Sequence, residues 1–448
     1  MSERPDLILV TETWDGLGLA MLAERQGASV LVAYDSRALE KKDAAAAHQA
    51  GEGIIERMKL AEAIKTYTGQ GAIWLFDSNS FPEQADALRK KGEAVLGTGA
   101  LSAKMEKDRH FAAKLAEDVG FDLTDTEEFS DTTEAIVYLE AHEDTAYVCK
   151  AQGGDADLTF VPQYDDPAPL ANRMVRGYLA ALEDHPGQPT SFILQKKVDG
   201  GTEVNVDLWV HEGQPLVAFV DLEAKRRHTG ERGELIGCAG DYLFQIPVTS
   251  PLVKKTAGRF LGHKEFRNYT GSIDANVILK GGKVFWLEAC DRLGYNAAPT
   301  LFYGLARAPM LRILEGWLAG RPLGPTFGRG YAASLSLLTS EHELGFPVLG
   351  PRSALTRFCP YSVREGPDGI LVMVGGGKAW YNVGCTVATA ATAEAAGKMC
   401  LRLAQQIIFP NKSLRTDLAD HDLPTLPLAR LRQLQAMGLM GGTSGSLR

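Results

Sequence analysis

The chain has 448 residues, of which 45% are hydrophobic and 23% are charged, and its formal net charge is -9. This length predicts two to four domains, and no apolar run approaches the length of a membrane span. The acidic balance argues against general binding of nucleic acids, although a local basic groove for nucleotide phosphates is compatible with it.

The N-terminal stretch MSERPDLILV lacks the basic and then apolar layout of a secretory signal. The six cysteines are scattered, with no CxxC pair and no zinc-like spacing. We therefore expect reduced thiols in a cytoplasmic protein that has no membrane partner.

The first hundred residues alternate apolar strands with helices. The strands are LILVTE, SVLVAY, AIWLFDS and AVLGT, and this alternation favours a parallel sheet covered by helices on both faces. Gly16 and Gly18 lie at the first strand-to-helix turn, where backbone amides can hold an anion. The dinucleotide pattern GxGxxG is incomplete because Met21 takes its last position, so a tight turn without a ligand is the alternative.

The middle of the chain predicts an α+β region. We expect one helix over 102–120, a strand over 146–152, and antiparallel strands within 191–210 and 214–227. A glycine-spaced loop, HTGERGELIGCAGDY, is predicted to lead to a further helix. Short strands and one helix follow, and the ending GLMGGTSGSLR predicts a disordered tail.

The segment GSIDANVILKGGKVFWLEACDR predicts a β-hairpin with two apolar strands and unexpectedly polar far ends. With a three-residue turn over 281–283, Asn276 lies opposite Glu288 and Asp274 lies opposite Cys290 on one face. A two-residue turn would shift the register by one and move Glu288 to the other face.

In the first register, the oxygen atoms of Asp274, Asn276 and Glu288 converge at a sheet edge. Such a set suits Mg²⁺, which takes one or two carboxylates together with substrate phosphates. The alternative is a polar strand end that faces solvent.

Cations and strand ends elsewhere fit a bound nucleotide. Lys150 ends an apolar strand before a Gly-Gly loop, where its ammonium can meet phosphate oxygens. QKKV (195–198) ends a strand at which an adenine can hydrogen-bond, and Glu203 begins the next strand with a carboxylate for ribose hydroxyls. Lys225 and Arg226 add cations. Taken singly, each of these residues fits a solvated surface charge better than a ligand contact.

In this order, the motifs resemble the ATP-grasp superfamily, and most closely phosphoribosylamine-glycine ligase (glycinamide ribonucleotide synthetase), across nearly the whole chain. The matching segments are MEKDRHF, CKAQGGDADLTF, QKKVDGGTE, EAKRRHTGERGELIGCAG, EACDRLGY and IIFPNKSLRTDLAD. The resemblance implies an ATP-grasp fold of mixed α/β and α+β class. The implied parts are a Rossmann-like N-terminal domain, an ATP-grasp domain with a mobile subdomain, a small β-rich C-terminal domain and a tail, at about 1–104, 105–325 (subdomain 122–200), 326–425 and 426–448.

The resemblance also implies an activity, which is ATP-dependent activation of a carboxylate as an acyl phosphate that an amine then captures. ATP and Mg²⁺ would be the cofactors, and a small-molecule carboxylate and an amine the substrates, in a monomer or homodimer. The implied nucleotide contacts are Arg109, Lys150, Gly153, Gly154, Gln195, Lys197, Val198 and Glu203. The implied metal ligands are Glu288, Asn276 and Asp274, and the implied catalytic cations are Arg292 and Lys225. Residues 153–160 and 228–240 would be lids.

The sequence departs from the family pattern at several positions. Cys290 replaces the metal-binding asparagine, and a thiol is a poor ligand for Mg²⁺. The N-terminal motif that in the family holds the substrate phosphate appears as WDGLGLA, without its arginine and histidine, and DSNS (77–80) replaces the next motif. Three hypotheses follow: a ligase with another substrate, a true phosphoribosylamine-glycine ligase with a divergent site, and a catalytically silent nucleotide-binding relative.

Overall fold

The computed structural model describes residues 4–441 apart from positions 38, 40, 153–158, 184–190, 341–344 and 376–380. It has the mixed α/β and α+β architecture predicted from the sequence, with a parallel sheet at the N-terminus and a large antiparallel sheet after it. Within these described ranges, no helix has both the length and the apolar character needed to cross a bilayer.

The N-terminal layer is a parallel sheet with helices on both faces. Its strands are β1 (Leu7–Thr11), β2 (Val30–Tyr34), β3 (Glu56–Lys59), β4 (Ile73–Phe76) and β5 (Ala94–Leu96). Its helices are α1 (Leu17–Arg25), α2 (Lys41–Gln49), α3 (Leu60–Tyr67) and α4 (Pro82–Lys90). The strand order is β3-β2-β1-β4-β5, so the order reverses between β1 and β4. Residues Leu7 and Leu9 pack on one face and Ile8 and Val10 on the other, as the unbroken apolar runs predict.

The helix predicted over 102–120 is two helices, α5 (Ala100–Lys107) and α6 (Arg109–Asp118). Asp108 separates them with a non-helical backbone, φ -102° and ψ 90°, and its carboxylate accepts a hydrogen bond of 2.9 Å from the Phe111 amide. This side-chain cap starts a new helix where the apolar pattern alone shows no interruption.

A small four-stranded sheet follows, covered by two helices. In chain order the elements are β6 (Thr126–Phe129), α7 (Thr132–Ala141), β7 (Tyr147–Gln152), β8 (Thr159–Phe160), α8 (Ala168–Glu183) and β9 (Ser191–Lys196). The strand order is β6-β9-β7-β8, with its own core that includes Cys149, Val175 and Leu194.

The large antiparallel sheet runs through the rest of the chain. Its strands are β10 (Thr202–His211), β11 (Gln214–His228), β12 (Arg232–Ile246), β13 (Gly271–Lys280), β14 (Lys283–Ala289), β15 (Tyr331–Thr339), β16 (Phe358–Pro360), β19 (Tyr381–Ala390) and β20 (Lys412–Ser413). A separate hairpin is formed by β17 (Val363–Glu365) and β18 (Leu371–Met373). The helices are α9 (Pro251–Lys255), α10 (Ala297–Pro299), α11 (Met310–Leu318), α12 (Arg352–Leu355), α13 (Ala393–Gln406) and α14 (Pro427–Ala436), and short 3₁₀ or π turns cover Ala257–Gly262, Lys264–Phe266, Thr300–Leu305, Gly324–Thr326 and Pro367–Gly369.

The strand order β14-β13-β10-β11-β12-β15-β19-β16 joins the middle of the chain to its C-terminal part, because β15 pairs with β12. The prediction of a loop over 228–242 is wrong, because most of this segment belongs to strand β12. Within β12, Gly233 and Gly237 have positive φ values of 81° and 79°, so these glycines mark irregular positions in a strand and not a loop. The predicted domain boundaries stay predictions.

The hairpin of β13 and β14 has the predicted pairing but not the predicted turn. Lys280 pairs with Lys283, so the turn has two residues, both glycines with positive φ, and the expected three-residue turn is wrong. A bulge at Leu287 then shifts the register by one, and Asn276 pairs with Glu288 as predicted.

The segment predicted as a tail contains an ordered helix, α14, whose Leu428, Leu431 and Leu434 are buried. Met440 is also buried, and the Leu439 carbonyl accepts a hydrogen bond from the Leu252 amide. Residues 442–448 lie outside the described residues.

Candidate active site

The polar face of the large sheet carries a charged cluster around Lys225. Its Nζ lies 2.9 Å from Glu203 Oε1 and 3.6 Å from Glu288 Oε1. Glu223 Oε2 is 3.8 Å from the same Nζ. Burial disfavours the charged ammonium, but these carboxylates outweigh it and raise the pKa of Lys225 well above its usual value. Lys225 is therefore a fixed cation at the centre of the cluster.

Asn276 and Glu288 lie together at the edge of this cluster. Asn276 Nδ2 donates to Glu288 Oε1 over 3.4 Å. Burial favours the neutral form of Glu288, but Lys225, Lys150 and Arg109 together lower its pKa to about 2. Asn276 is 4% exposed, and its Oδ1 has no hydrogen-bond partner among the described residues. An unpaired amide oxygen beside an ionised carboxylate is a donor set that suits Mg²⁺.

Lys150 and Arg109 supply positive charge from outside the large sheet. Lys150 lies on β7 and is 9% exposed, and Arg109, the first residue of α6, donates from Nε to the Ala151 carbonyl over 3.3 Å. Burial lowers the pKa of Lys150 to about 8; Glu288 opposes this effect, and Arg109 adds to it. At a pH near this pKa, only part of the Lys150 side chains are protonated. A bound anion would raise the pKa of Lys150 and so increase the charged fraction.

Asp274 lies two residues before Asn276 on the same face of β13. Its Oδ2 accepts a hydrogen bond of 3.1 Å from Asn205 Nδ2, and its amide donates to Asp291 Oδ1 over 2.9 Å. Burial, with a further contribution from Asp207, raises the pKa of Asp274 well above its usual value. This shift favours the neutral form of Asp274, so Glu288 and Asn276 are the better oxygen donors for a cation.

Cys290 does not contribute a metal ligand as it stands. Burial raises the pKa of its thiol well above the usual value, so the sulfur stays protonated. Within the described residues, no group of three or more histidine, cysteine, aspartate or glutamate side chains is arranged to hold a metal. The residues present fit Mg²⁺ only if the Asn276 amide and substrate phosphates complete the set.

Arg292 follows β14 and contacts residues of α5 and of its own loop. It is 7% exposed, donates from Nη2 to Glu106 Oε1 over 3.1 Å, and lies 4.2 Å from the centre of the Tyr295 ring. Glu106 Oε2 in turn accepts a hydrogen bond of 2.5 Å from Asn79 Nδ2, in the stretch that follows β4. Arg292 Nε is buried and has no hydrogen-bond partner among the residues that the structure describes.

The predicted adenine contacts lie at the end of β9. Gln195 pairs with β7, and Val198 is half-buried just beyond the strand. Lys197 Nζ donates to the Gln163 carbonyl over 2.9 Å and lies 2.9 Å from Asp199 Oδ1. Lys197 thus fixes the end of the strand and does not extend into solvent.

The first glycine turn binds a carboxyl group of the protein itself. The Gly16 amide donates to Asp77 Oδ2 over 3.1 Å. Asp77 directly follows β4, and Gly16 follows β1 across the reversal in strand order. Gly18 serves packing, because a Cβ there would lie 2.2 Å from the Cys359 sulfur.

No protein-family model and no curated protein matches the chain. Among solved structures, phosphoribosylamine-glycine ligase from Thermotoga maritima matches with a TM-score of 0.66 and 19% identity, over 92% of this chain and 99% of that one. The chain has the ATP-grasp fold. This confirms the fold expected from the resemblance of the motifs.

Two other solved structures show the same ATP-grasp architecture. N5-carboxyaminoimidazole ribonucleotide synthetase from Thermotoga maritima matches with a TM-score of 0.54 and 13% identity, over 90% of this chain and 99% of that one. The biotin carboxylase domain of 2-oxoglutarate carboxylase from Hydrogenobacter thermophilus, solved with MgADP, matches with a TM-score of 0.59 and 10% identity, over 92% of each chain. At such identities the similarity establishes the fold and leaves the substrates open.

One of the two lids predicted for this ATP-grasp chain, residues 153–160, lies mostly outside the described residues, and Gly153 and Gly154 are among those not described. The other, 228–240, is the tip of the hairpin between β11 and β12. Arg226, expected near phosphates, instead donates to main-chain carbonyls, including that of Gly233 over 2.7 Å.

The tip of this hairpin is fixed by residues for which the sequence suggested no role. Arg415, whose side chain is 0% exposed, lies 2.6 Å from Glu231 and 2.8 Å from Asp417. Asp417 also accepts a hydrogen bond of 2.7 Å from the Gly230 amide. Both Arg415 and Asp417 belong to the terminal segment RTDLAD. The resemblance of this segment to the family was the sequence signal that could have drawn attention to them.

Arg430 of α14 is a second residue that the sequence did not single out. It donates to the Glu203 carbonyl over 3.2 Å and also to the Glu223 carbonyl. Its charge helps to lower the pKa of Glu203 against the effect of burial, after the larger contribution of Lys225. The C-terminal helix therefore supports the strands that carry the charged cluster.

Proposed function

We propose that this protein is an ATP-dependent ligase that activates a carboxylate as an acyl phosphate and joins it to an amine. The observation that carries the proposal is Lys225, held within 4 Å of Glu203, Glu223 and Glu288, on an ATP-grasp fold. Such a fixed array of charges suits the transfer of a phosphoryl group from ATP to the substrate. The charged groups are already in place, so they need not reorganise during the reaction.

In this proposal each charged residue has a defined task. Lys150, Arg109 and Lys225 neutralise the ATP phosphates, and Glu203 accepts hydrogen bonds from the ribose. Glu288 and Asn276 would hold Mg²⁺, which supplies charge neutralisation at the phosphates when bound. Arg292 would bind the acyl phosphate.

The proposed chemistry has two steps. A carboxylate oxygen of the substrate attacks the γ-phosphorus, and the bond to the bridging oxygen breaks, so that ADP leaves with the electron pair. The amine nitrogen then attacks the acyl carbon, the bond to the phosphate oxygen breaks, and inorganic phosphate and a proton leave. Closure against water is needed because an acyl phosphate hydrolyses readily.

One observation disfavours phosphoribosylamine as the amine. The Gly16 amide, which could receive a substrate phosphate, already binds Asp77 Oδ2. A second carboxylate, Asp15, lies beside it on the pocket wall. A phosphate there would meet two acidic side chains and an occupied donor.

The test is ADP formation from ATP and Mg²⁺ in the presence of pooled carboxylates and amines. Wild-type protein should release ADP only when both pools are present or when one member of each is supplied. Glu288→Gln should lower the rate by about 10²- to 10³-fold, the usual effect of removing one preorganised group. Glu143→Gln changes an exposed glutamate and is the matched control. Equal ADP release by wild type and Glu288→Gln would contradict the proposal.

A further inference from the structure

The pairing of β10 with β11 stops short of the charged cluster. Among the described residues, this antiparallel ladder ends at the pair formed by Asn205 and Asp221 and does not continue to Glu203 and Glu223. At these two positions each strand is still paired on its other side, β10 with β13 and β11 with β12. We call the unpaired stretch between Glu203 and Glu223 the seam. Pairing between β10 and β11 does not fix the distance between the two strands there.

The charged residues of the candidate active site lie on both sides of the seam. Glu203 belongs to β10 and Glu288 to β14 on one side, whereas Lys225 belongs to β11 on the other. Lys225 Nζ reaches across the seam to Glu203 Oε1 over 2.9 Å and to Glu288 Oε1 over 3.6 Å. The geometry of the proposed nucleotide site therefore depends on how the two sides are held together.

Arg430 of α14 bridges the seam through the main chain. Its Nη1 donates to the Glu203 carbonyl over 3.2 Å, and its Nη2 donates to the Glu223 carbonyl. Arg430 is 5% exposed. Because a guanidinium presents its N–H groups in a rigid planar fork, this one side chain sets the separation of two carbonyls on neighbouring strands.

Helix α14 is anchored independently of Arg430. Its Leu428, Leu431 and Leu434 are buried, and Thr202 Oγ1 donates to Gln433 Oε1 over 2.5 Å. Replacement of Arg430 should therefore leave the helix in place and remove only its link between the two strands.

We propose that Arg430 is a positioning residue for recognition of the ATP ribose. It holds the Glu203 end of β10 at a fixed distance from β11, so that the Glu203 carboxylate, beside Lys225, is placed for the ribose hydroxyls. The inference rests on the proposed ligase function, in which Glu203 accepts hydrogen bonds from the ribose. Arg430, 227 positions after Glu203, acts on the nucleotide without touching it.

The test compares the affinities of the full chain for MgATP and for the magnesium complex of 2′,3′-dideoxyATP, which lacks both ribose hydroxyls, by isothermal titration calorimetry. Wild type should bind MgATP about 10- to 100-fold more tightly, the effect of hydrogen bonds to a charged group. In Arg430→Met this preference should fall to about 3-fold or less through weaker binding of MgATP, while the affinity for the dideoxy analogue stays the same. Arg432→Met, at an exposed position of the same helix, is the matched control and should keep the wild-type preference.

Two further variants separate positioning from stability. Arg430→Lys keeps a charged donor without the planar fork, so it should fold and show an intermediate preference. Glu203→Gln should lose the preference, and the addition of Arg430→Met to it should weaken MgATP binding no further, because both changes remove the same interaction.

The outcomes distinguish this inference from the proposed function. Equal weakening of both nucleotides in Arg430→Met would overturn the inference, because it would show a general loss of structure, and an unchanged preference in that variant would also overturn it. If wild type binds MgATP without preferring it to the dideoxy analogue, the ribose assignment and the inference fail and the ligase proposal stands. If wild type binds neither nucleotide, the ligase proposal fails and the inference fails with it.

Discussion

Binding of MgATP at pH 8 should be accompanied by the uptake of protons by Lys150. With a pKa of about 8 in the free protein, roughly half of the Lys150 side chains are uncharged at this pH. Phosphate oxygens placed within about 4–6 Å of the ammonium should raise its pKa by about 1–3 units. The uptake should then be about 0.4–0.5 proton per nucleotide at pH 8, and about 0.1 at pH 7, where Lys150 is already mostly charged.

Calorimetry measures this quantity directly. The binding enthalpy of MgATP is determined at pH 8 in two buffers with different heats of ionisation, and the difference gives the protons taken up. Lys150→Met should abolish the uptake, and Lys65→Met, at an exposed position of α3, should leave it unchanged. MgATP binding without proton uptake, or uptake that persists in Lys150→Met, would refute the assignment of Lys150 to the phosphates.

Three further predictions concern stability. Folding raises the pKa of Asp77 from 3.8 to about 7, so the destabilising effect of its charge grows as the pH rises between these values. The stability gained in Asp77→Asn relative to wild type should therefore be about 2.6 kcal/mol larger at pH 8 than at pH 5. Equal differences in melting temperature at both pH values would count against this. Arg415→Met leaves Asp417 without its buried partner and should cost about 3 kcal/mol and expose the hairpin tip to proteolysis; an unchanged cleavage pattern would show that Arg415 does not fix the tip. Gly18→Ala places a methyl group against Cys359 and should cost about 1–3 kcal/mol in unfolding measurements while MgATP affinity stays the same; a loss of affinity would assign Gly18 to the nucleotide site.

Much of the N-terminal sheet could be predicted because strands buried on both faces read as unbroken apolar runs. Leu7–Thr11 and Ile73–Phe76 are such runs, and both are buried. The break at Asp108 was missed because an aspartate inside a continuous apolar pattern is compatible with either a helix or a cap. Strand β12 was missed because its glycines suggested a loop, although they are accommodated within paired strands.

In the hairpin that carries Glu288, the pairing of Asn276 with Glu288 was predicted correctly although the length of the turn was not. The two-residue glycine turn alone would have placed Glu288 on the wrong face. The bulge at Leu287 restores the pairing with Asn276, and a bulge has no distinct signal in this sequence.

Contacts between distant parts of the chain could not be found from local patterns. Gly16 and Asp77 are 61 positions apart and meet only because β1 and β4 are neighbours in the sheet. Arg415 likewise reaches the hairpin tip from the end of the chain. Such contacts require the strand order, which one sequence does not specify.

Positional isotope exchange can detect directly whether ATP activates a carboxylate before the amine reacts. ATP labelled with ¹⁸O at the β,γ-bridge is incubated with Mg²⁺, the protein and pooled carboxylates, without an amine. We expect the label to move to non-bridging β positions only when a carboxylate is present, and the exchange to be about 10²- to 10³-fold slower in Glu288→Gln. Bound MgATP whose label stays in the bridge with every carboxylate pool would contradict the proposed ligase function.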